Sequence, residues 1–192
     1  MKENFNKYKI EITRVTSWKD VLNSARFTQR KELLDKEPST EFKKKIIKSE
    51  HSPLRCLMFH IDIYNIPRYV SDHLVRHHEW CQPFVSTGRS DVLDYLPPRE
   101  EQRMTDLYNT KLFLNAQEII NISKVRLCNK TEKETKEIWQ TVIDELRKIE
   151  PELANACVPN CYYRGFCPEF KSCGWAESKL FPERRTYYIN NL

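Results

Sequence analysis

Glycine is scarce in this sequence, with only three residues among 192. No GxGxxG or GxxxxGK[ST] pattern can be built from them, which excludes the glycine-rich loops that commonly hold nucleotide phosphates. A nucleotide or dinucleotide must therefore be held in some other way.

Long apolar runs are also missing. No stretch approaches the roughly 18 apolar residues of a membrane span, and the first fifteen residues, MKENFNKYKIEITRV, lack the apolar centre of a signal peptide. We therefore expect a cytoplasmic protein with no membrane partner. In that compartment, seven cysteines are expected to be thiols or metal ligands rather than disulfides.

Strong positive charge is absent as well. The net charge of +5 is only mildly basic, which favours anionic ligands such as nucleotides or phosphorylated cofactors. It falls short of the clustered basicity of a dedicated DNA-binding domain. The length suits one domain with a sizeable core.

The apolar periodicities predict a mixture of strands and helices. In chain order we expect a strand over Tyr8–Val15, a helix over Trp18–Leu34 capped by Ser17 and Asp20, a helix from Ser39, a strand over Leu54–Ile63, a turn at Asn65–Pro67, a long helix over Glu100–Leu127, and a helix to Ile149 that is opened by a Thr131–Glu134 capping box. The stiff Pro97–Pro98 pair precedes the long helix.

The stretch Ile61–Asp91 is the most unusual part of the chain. It predicts a strand, a short helix over Tyr69–Arg76 and then an irregular polar loop, with Arg76-His77-His78 followed by Ser86 after seven intervening residues. Loops that carry Arg, His and Ser on a rigid scaffold are common binding sites. The alternative is a solvated patch without a function.

Four cysteines follow near the C-terminus, at Cys157, Cys161, Cys167 and Cys173. Their spacing, C-x3-C-x5-C-x5-C, lacks the tight CxxC pairs of zinc fingers. Irregularly spaced thiolates can still bind zinc or an iron–sulfur cluster. Buried free thiols or a redox thiol are the alternatives.

Read together, these segments resemble the flavin-dependent thymidylate synthases (ThyX). That family carries Arg-His-Arg, seven residues, then Ser, and this chain has Arg76-His77-His78 and Ser86. Further similarities lie in the Glu50–Pro53 turn, the Ile63–Arg68 turn, the Leu74–His77 run, the Pro97–Pro98 connector and the Ala154–Pro159 segment. The resemblance covers roughly Tyr8 to Pro159.

The resemblance implies an α+β fold, with an antiparallel sheet flanked by helices. Residues 1–156 would form a flavin and nucleotide domain, and 157–192 a cysteine-rich segment of the same domain. It also implies a homotetramer with FAD held between subunits and no nucleic-acid partner. The implied reaction transfers a methylene group from methylenetetrahydrofolate to dUMP, a pyrimidine deoxynucleotide, and reduces it with NADPH to give dTMP.

Residue roles follow from the same resemblance. Cofactor contacts are implied for Ser52, Arg76, His77 and His78, substrate contacts for His73, Ser86 and Arg89, and catalytic roles for Ser86 and Arg76. Imidazole can stack on a flavin, and a guanidinium can bind phosphate through two parallel hydrogen bonds.

The chain also departs from the family's pattern. His78 replaces an arginine, Ala154-Asn155 replaces an Ala-Arg pair that would bind phosphate, and the cysteine-rich stretch replaces the usual closing segment. Either the basic residues Arg164, Lys171, Arg184 and Arg185 compensate, or the substrate is a relative of dUMP. A metal-binding nucleotide or nucleic-acid module, and a non-catalytic protein with the ThyX fold, are the alternative functions.

Overall fold

A four-stranded antiparallel sheet organises the computed structural model, which describes residues 8–77 and 79–192. Its strands are β1 (Lys9–Arg14), β2 (Met58–Pro67), β3 (Cys81–Val85) and β4 (Leu107–Asn115), in the spatial order β1-β2-β4-β3. The helices are α1 (Trp18–Thr28), α2 (Thr40–Lys48), α3 (Arg68–Leu74), α4 (Ala116–Arg126), α5 (Lys133–Ile149), α6 (Pro151–Ala156), α7 (Asn160–Arg164) and α8 (Phe181–Asn191). This architecture confirms the predicted α+β class.

One face of the sheet packs on the helices and forms the core. Along β2, the alternate residues Phe59, Ile61 and Ile63 are buried on that face, whereas His60 and Asp62 on the opposite face are only partly covered. The burial of Trp18 and Trp139 in the same cluster shows that α1 and α5 close this core. A sheet with one covered face explains the alternating pattern of its strands.

Several predicted helix starts are confirmed. Ser17 and Asp20 form the predicted capping box at the start of α1, where the Ser17 amide donates to Asp20 Oδ2 at 2.7 Å. The Ser39 hydroxyl accepts from the Phe42 amide at 3.3 Å and caps α2. The helix after Asn129 is displaced by one residue from the prediction, because the Glu132 carboxylate caps α5 in place of Thr131. A carboxylate near the positive end of a helix is as effective as a hydroxyl.

The predicted helix over Glu100–Leu127 is wrong in its first half. Residues Leu107–Asn115 form β4, and the helix begins only at Ala116, where the Asn115 side chain accepts from the Glu118 amide at 2.9 Å. The apolar residues of this segment fit both a helical and an alternating pattern. Hydrogen bonding to β2 on one side and to β3 on the other stabilises this segment as a strand.

Three other local predictions are also corrected. The predicted strand over Leu54–Ile63 begins only at Met58, because Ser52–Cys56 forms a 3-10 helix. The predicted Asn65–Pro67 turn is part of β2, where an irregularity in its pairing with β4 accommodates Asn65 at φ +58°. The predicted polar loop after α3 contains β3, which lies at the sheet edge, where Pro83 costs no ladder bond on its open side.

No helix in the part of the chain that the structure describes is both long and apolar enough to cross a membrane.

Candidate functional site

The turn after α3 is held by the C-terminal end of α4. Arg126 donates from Nε to His77 Nε2 at 2.9 Å and from Nη2 to the His73 carbonyl at 2.5 Å. On its other side, His77 Nδ1 lies 4.0 Å from the Glu118 carboxylate, which is buried on α4. The imidazole of His77 is therefore fixed between a guanidinium and a carboxylate.

Positive charge concentrates around this turn. Burial lowers the pKa of Arg126, and the nearby Arg76 lowers it further. The pKa of His73 is also lowered, first by burial and then by the charges of Arg126 and Arg76. Burial is the larger cause of both pKa shifts, and the mutual repulsion of these basic side chains adds to it; a bound anion would relieve that repulsion.

His73 itself is engaged by the neighbouring helix. Its Nδ1 atom lies 2.9 Å from the Thr135 hydroxyl in the first turn of α5. This contact holds α3 against α5 and leaves the role of His73 toward a substrate as a prediction.

The 3-10 helix Ser52–Cys56 packs against α1 and α4. Ser52 is exposed at its start, and the Arg55 guanidinium lies 5.5 Å from the ring centre of Trp80. Trp80, three residues after His77, is 52% exposed. An exposed indole beside a guanidinium can stack on a planar ligand.

Ser86 and Arg89 lie at the far end of β3. Ser86 continues the pairing with β4, since its amide donates to the Asn109 carbonyl at 2.9 Å and its hydroxyl accepts from the Asn109 amide at 3.0 Å. Arg89 is exposed and donates from Nε to Asp91 at 3.0 Å. The next residues continue along the surface towards the Pro97–Pro98 connector.

A cavity of about 570 Å³ opens beside Arg89 and is lined by Arg68, Asp72, Asp91, Arg99 and Tyr108. Gly88 forms part of its wall, and a Cβ atom there would lie 2.3 Å from the Tyr108 hydroxyl. A larger residue at this position, three residues beyond β3, would therefore displace the Tyr108 side chain. The three arginines outnumber the two aspartates of this wall, and a phosphate here would take the place of Asp91 as the partner of Arg89.

The predicted site residues thus fall into two groups in one chain. The His77 group, which consists of His73, Arg76, His77 and Arg126, lies at the Cys81 end of β3. Burial, and then the charge of Glu118, raise the pKa of Cys81 to about 12. Ser86 lies five extended residues further on, about 17 Å along the strand. His78 lies outside the described residues.

Because its raised pKa keeps the Cys81 thiol protonated, Cys81 is a packing residue rather than a nucleophile.

The prediction from sequence missed Arg126 and Glu118. Both lie on the segment that the sequence predicts as one long helix. The signal in the sequence is the presence of the polar residues Asn115, Glu118 and Ser123 within that apolar run, and the structure shows all three buried.

The four predicted cysteines line a second cavity, together with Cys128. Burial raises the pKa of Cys161, and the neighbouring thiols of Cys128 and Cys167 contribute to the increase, which places these three close together. Among residues 8–77 and 79–192, no three His, Cys, Asp or Glu side chains gather closely enough to hold a single metal ion.

Comparison with solved structures identifies the fold. ThyX, the flavin-dependent thymidylate synthase of Helicobacter pylori, solved with FAD and dUMP, matches with a TM-score of 0.62 at 14% identity, over 77% of this chain and 99% of that one. A second structure of the same enzyme with FAD and dUMP gives 0.60 at 14% identity, over 78% and 97% of the two chains.

A different activity is represented among the matches. The UMP/dUMP methylase PolB of Streptomyces cacaoi, bound to 5-Br dUMP, matches with a TM-score of 0.60 at 12% identity, over 78% of this chain and 94% of PolB. The sequence matches no model of a known protein family and no curated protein. The chain therefore has the ThyX fold, as the resemblance predicted, with a strongly diverged sequence.

Proposed function

We propose that this protein is a flavin-dependent enzyme of the ThyX type, which methylates dUMP or a related pyrimidine nucleotide. The observation that carries the proposal is the pair of guanidiniums of Arg76 and Arg126, with His77 held between Arg126 and Glu118 and the exposed Trp80 three residues further along, in a chain with this fold. The neighbours with this fold include structures bound to FAD and to uracil nucleotides.

The side chains of this group fit FAD chemically. A dinucleotide presents a negatively charged pyrophosphate and a planar ring. The group offers the guanidinium donors of Arg76 and Arg126, and Arg55 lies beside the exposed Trp80 indole. We assign the cofactor to Ser52, Arg76 and His77, with His78 as a further predicted contact. No glycine-rich loop is needed for this mode of binding.

The nucleotide is assigned to Ser86, Arg89 and His73. The Arg89 cavity supplies positive charge for a phosphate, and the Ser86 hydroxyl is positioned by the Asn109 amide. Arg76 and Ser86 would polarise the uracil ring, so that its C5 carbon can accept a one-carbon unit. Catalysis then rests on electrostatics and positioning rather than on a covalent bond to the protein.

When bound, FAD supplies hydride transfer, with NADPH as the source and methylenetetrahydrofolate as the one-carbon donor. The protein's task is to hold the cofactor and the nucleotide in register and to exclude water. We place this activity in the cytoplasm, where thiols such as those of this chain stay reduced.

The separation of the two groups bears on assembly. His77 and Ser86 lie toward opposite ends of β3 in one chain, whereas a flavin and its substrate must be in contact for hydride transfer. We therefore propose that the site forms between subunits of a homotetramer, with the His77 group of one copy facing the Ser86 group of another.

The test is cofactor content followed by turnover. The purified protein should show a flavin spectrum, release FAD on denaturation, and oxidise NADPH faster when dUMP is added. His77→Ala should lower FAD occupancy, while Lys148→Gln on the far end of α5 should not. No stimulation by any pyrimidine nucleotide would contradict the enzyme function, and unchanged occupancy in His77→Ala would contradict the cofactor assignment.

A further inference from the structure

The turn that follows α2 contains a glutamate where glycine is the usual residue. Glu50 has a φ of +44°. Its amide donates to the Ile47 carbonyl at 3.0 Å, and the His51 amide donates to the Ile46 carbonyl at 3.2 Å. These two bonds form the Schellman motif that ends a helix, and its left-handed position is most often glycine, because a side chain is strained there. Since the turn would form more easily with glycine, the glutamate indicates a use for its carboxylate.

The carboxylate of Glu50 is held by two side chains of α4. Lys124 Nζ donates to its two oxygens at 2.8 and 3.0 Å, and Gln117 Nε2 donates to Oε2 at 2.5 Å. Gln117 and Lys124 are seven residues apart, so they lie on one face of α4. The side chains of Glu50 and Lys124 are only 22% and 15% exposed, so salt screens this pair less than a pair in open solvent. The Glu50 turn is therefore fastened to α4.

A row of polar contacts continues from this pair to the His77 turn. Gln117 Nε2 also donates to Asn121 Oδ1 at 3.3 Å, and Asn121 Nδ2 donates to Glu118 Oε2 at 3.0 Å. A side-chain amide has two N–H donors, so Gln117 can serve both Glu50 and Asn121. Glu118 in turn lies 4.0 Å from His77 Nδ1. Side chains of α4 thereby connect the Glu50 turn with the His77 turn.

The cysteine-rich segment adds one aromatic ring to these side chains. The Lys124 ammonium lies 3.9 Å from the ring centre of Tyr163 in α7, which is a cation–π contact. The charge of Glu50, and then burial, raise the pKa of Tyr163, which indicates that its hydroxyl lies near that carboxylate. The segment that follows α6 therefore contacts the ion pair that fastens the Glu50 turn.

Two predicted cofactor contacts depend on these turns. Ser52 begins the 3-10 helix two residues after Glu50, and its side chain is exposed. His77 is held between Arg126 and Glu118. A flavin that contacts both turns needs them at a fixed separation, because a binding group displaced by roughly 1 Å loses its contacts. Because α4 contacts both turns, it determines this separation.

We propose that Glu50 and Asn121 are positioning residues of the flavin site, and that the contacts across α4 hold the Ser52 turn and the His77 turn in register. Neither residue is a cofactor contact, since each acts through the turns that it connects. The inference rests on the proposed function, because a shared register matters only if one cofactor contacts both turns. Tyr163 gives the cysteine-rich segment a part in the same site.

The first test is the Kd for FAD of full-length protein with Asn121→Ala, measured by flavin fluorescence quenching. Alanine favours a helix more than asparagine does, so α4 should stay folded while the connection is lost. We expect the Kd to increase by roughly fivefold to thirtyfold, with a urea midpoint close to that of the unaltered protein. Gln140→Ala is the matched control, because Gln140 is an amide that donates to a carboxylate of its own helix, Asp144, at 3.0 Å.

A double-variant cycle tests whether the two turns act together. Glu50→Gly removes the carboxylate and gives the end of α2 its preferred residue, and His77→Ala removes the other end of the row of contacts. The double variant should increase the Kd for FAD by less than the product of the two single increases, because the second change acts on a connection that is already broken. An increase equal to that product would show that the turns act independently and would overturn the proposal.

Hydrogen exchange gives a readout that needs no flavin. The Leu54 amide donates to the His51 carbonyl at 2.9 Å within the 3-10 helix. In flavin-free protein this amide should exchange faster in Asn121→Ala and in Tyr163→Leu than in Gln140→Ala. Equal exchange in these variants, or equal Kd values for Asn121→Ala and Gln140→Ala, would overturn the positioning roles alone. The absence of FAD binding in the unaltered protein would overturn the proposed function as well.

Discussion

Nε of Arg126 donates to Nε2 of His77 over 2.9 Å. A guanidinium has only donors, so Nε2 of His77 must accept, and the imidazole is neutral with its proton on Nδ1. That proton faces the side on which the Glu118 carboxylate lies, 4.0 Å away. The end of α4 thus determines the orientation and the tautomer of a predicted flavin contact.

The first prediction concerns this bond. Arg126→Gln removes a charge-assisted hydrogen bond worth about 1.5–3 kcal/mol, so the Kd for FAD should increase by roughly tenfold to a hundredfold. Flavin fluorescence quenching measures it. Arg26→Gln, which removes an arginine of α1 that donates to the Glu32 carbonyl, is the matched control. Equal Kd values for the two variants would show that Arg126 does not support the cofactor site.

The nucleotide half of the site gives the second prediction. Arg89→Gln should weaken dUMP binding by about tenfold or more, because it removes a positive charge from the cavity that Arg89 lines with Arg68 and Arg99. The affinity for FAD should stay the same. Calorimetry on flavin-loaded protein measures both, with Lys148→Gln as the control. A parallel loss of FAD and dUMP binding would mean that Arg89 acts through the fold.

A third prediction is a pH dependence of stability. Burial and the charges of Arg126 and Arg76 lower the pKa of His73 below its ordinary 6.5. The unfolded chain then binds more protons than the folded one, so this contribution to stability is fully present above pH 6.5 and is lost as the pH falls toward the folded-state pKa.

Urea unfolding at a series of pH values from about 7.5 to about 5, a range that brackets the ordinary histidine pKa, tests whether stability falls in this direction. His73→Gln should flatten the acid side of the profile. His51→Gln, at an exposed position, should leave the slope unchanged. A steeper acid loss in His73→Gln than in the unaltered protein would contradict the predicted direction.

The fourth prediction concerns the buried carboxylate of Glu150. It accepts from Trp18 Nε1 at 2.7 Å and pairs with Arg14 at 2.5 Å, which joins α1 and β1 to the α5–α6 junction. Glu150→Ala should lower the free energy of unfolding by about 2–3 kcal/mol, since it leaves the buried indole N–H unpaired. Glu150→Gln keeps an acceptor for Trp18 and should cost less. Equal losses would assign the whole effect to the ion pair.

The sequence predicted those elements whose signals are local. The capping residues Ser17 and Ser39 and the alternation in β1 depend on near neighbours, and the structure confirms them. The strand β4 was not predicted, because Leu112 and Leu114 satisfy either period until β2 and β3 pair beside them.

The candidate site was predictable only in part for the same reason. The Arg76–Ser86 motif is contiguous and could be found, whereas Arg126 comes from a distant segment that the fold places beside it. Spacing along the chain carries no information about such contacts. The placement of Ser86 at the far end of β3 likewise follows from strand pairing alone.

The measurement that tests the central proposal most directly is mass spectrometry of the nucleotide after incubation with FAD, NADPH, methylenetetrahydrofolate and dUMP. We predict a product heavier than dUMP by one methylene group, which requires the flavin and is lost in His77→Ala. Unchanged dUMP, and unchanged UMP in a parallel incubation, with flavin-loaded and folded protein, would contradict methylation of a uracil nucleotide by this protein.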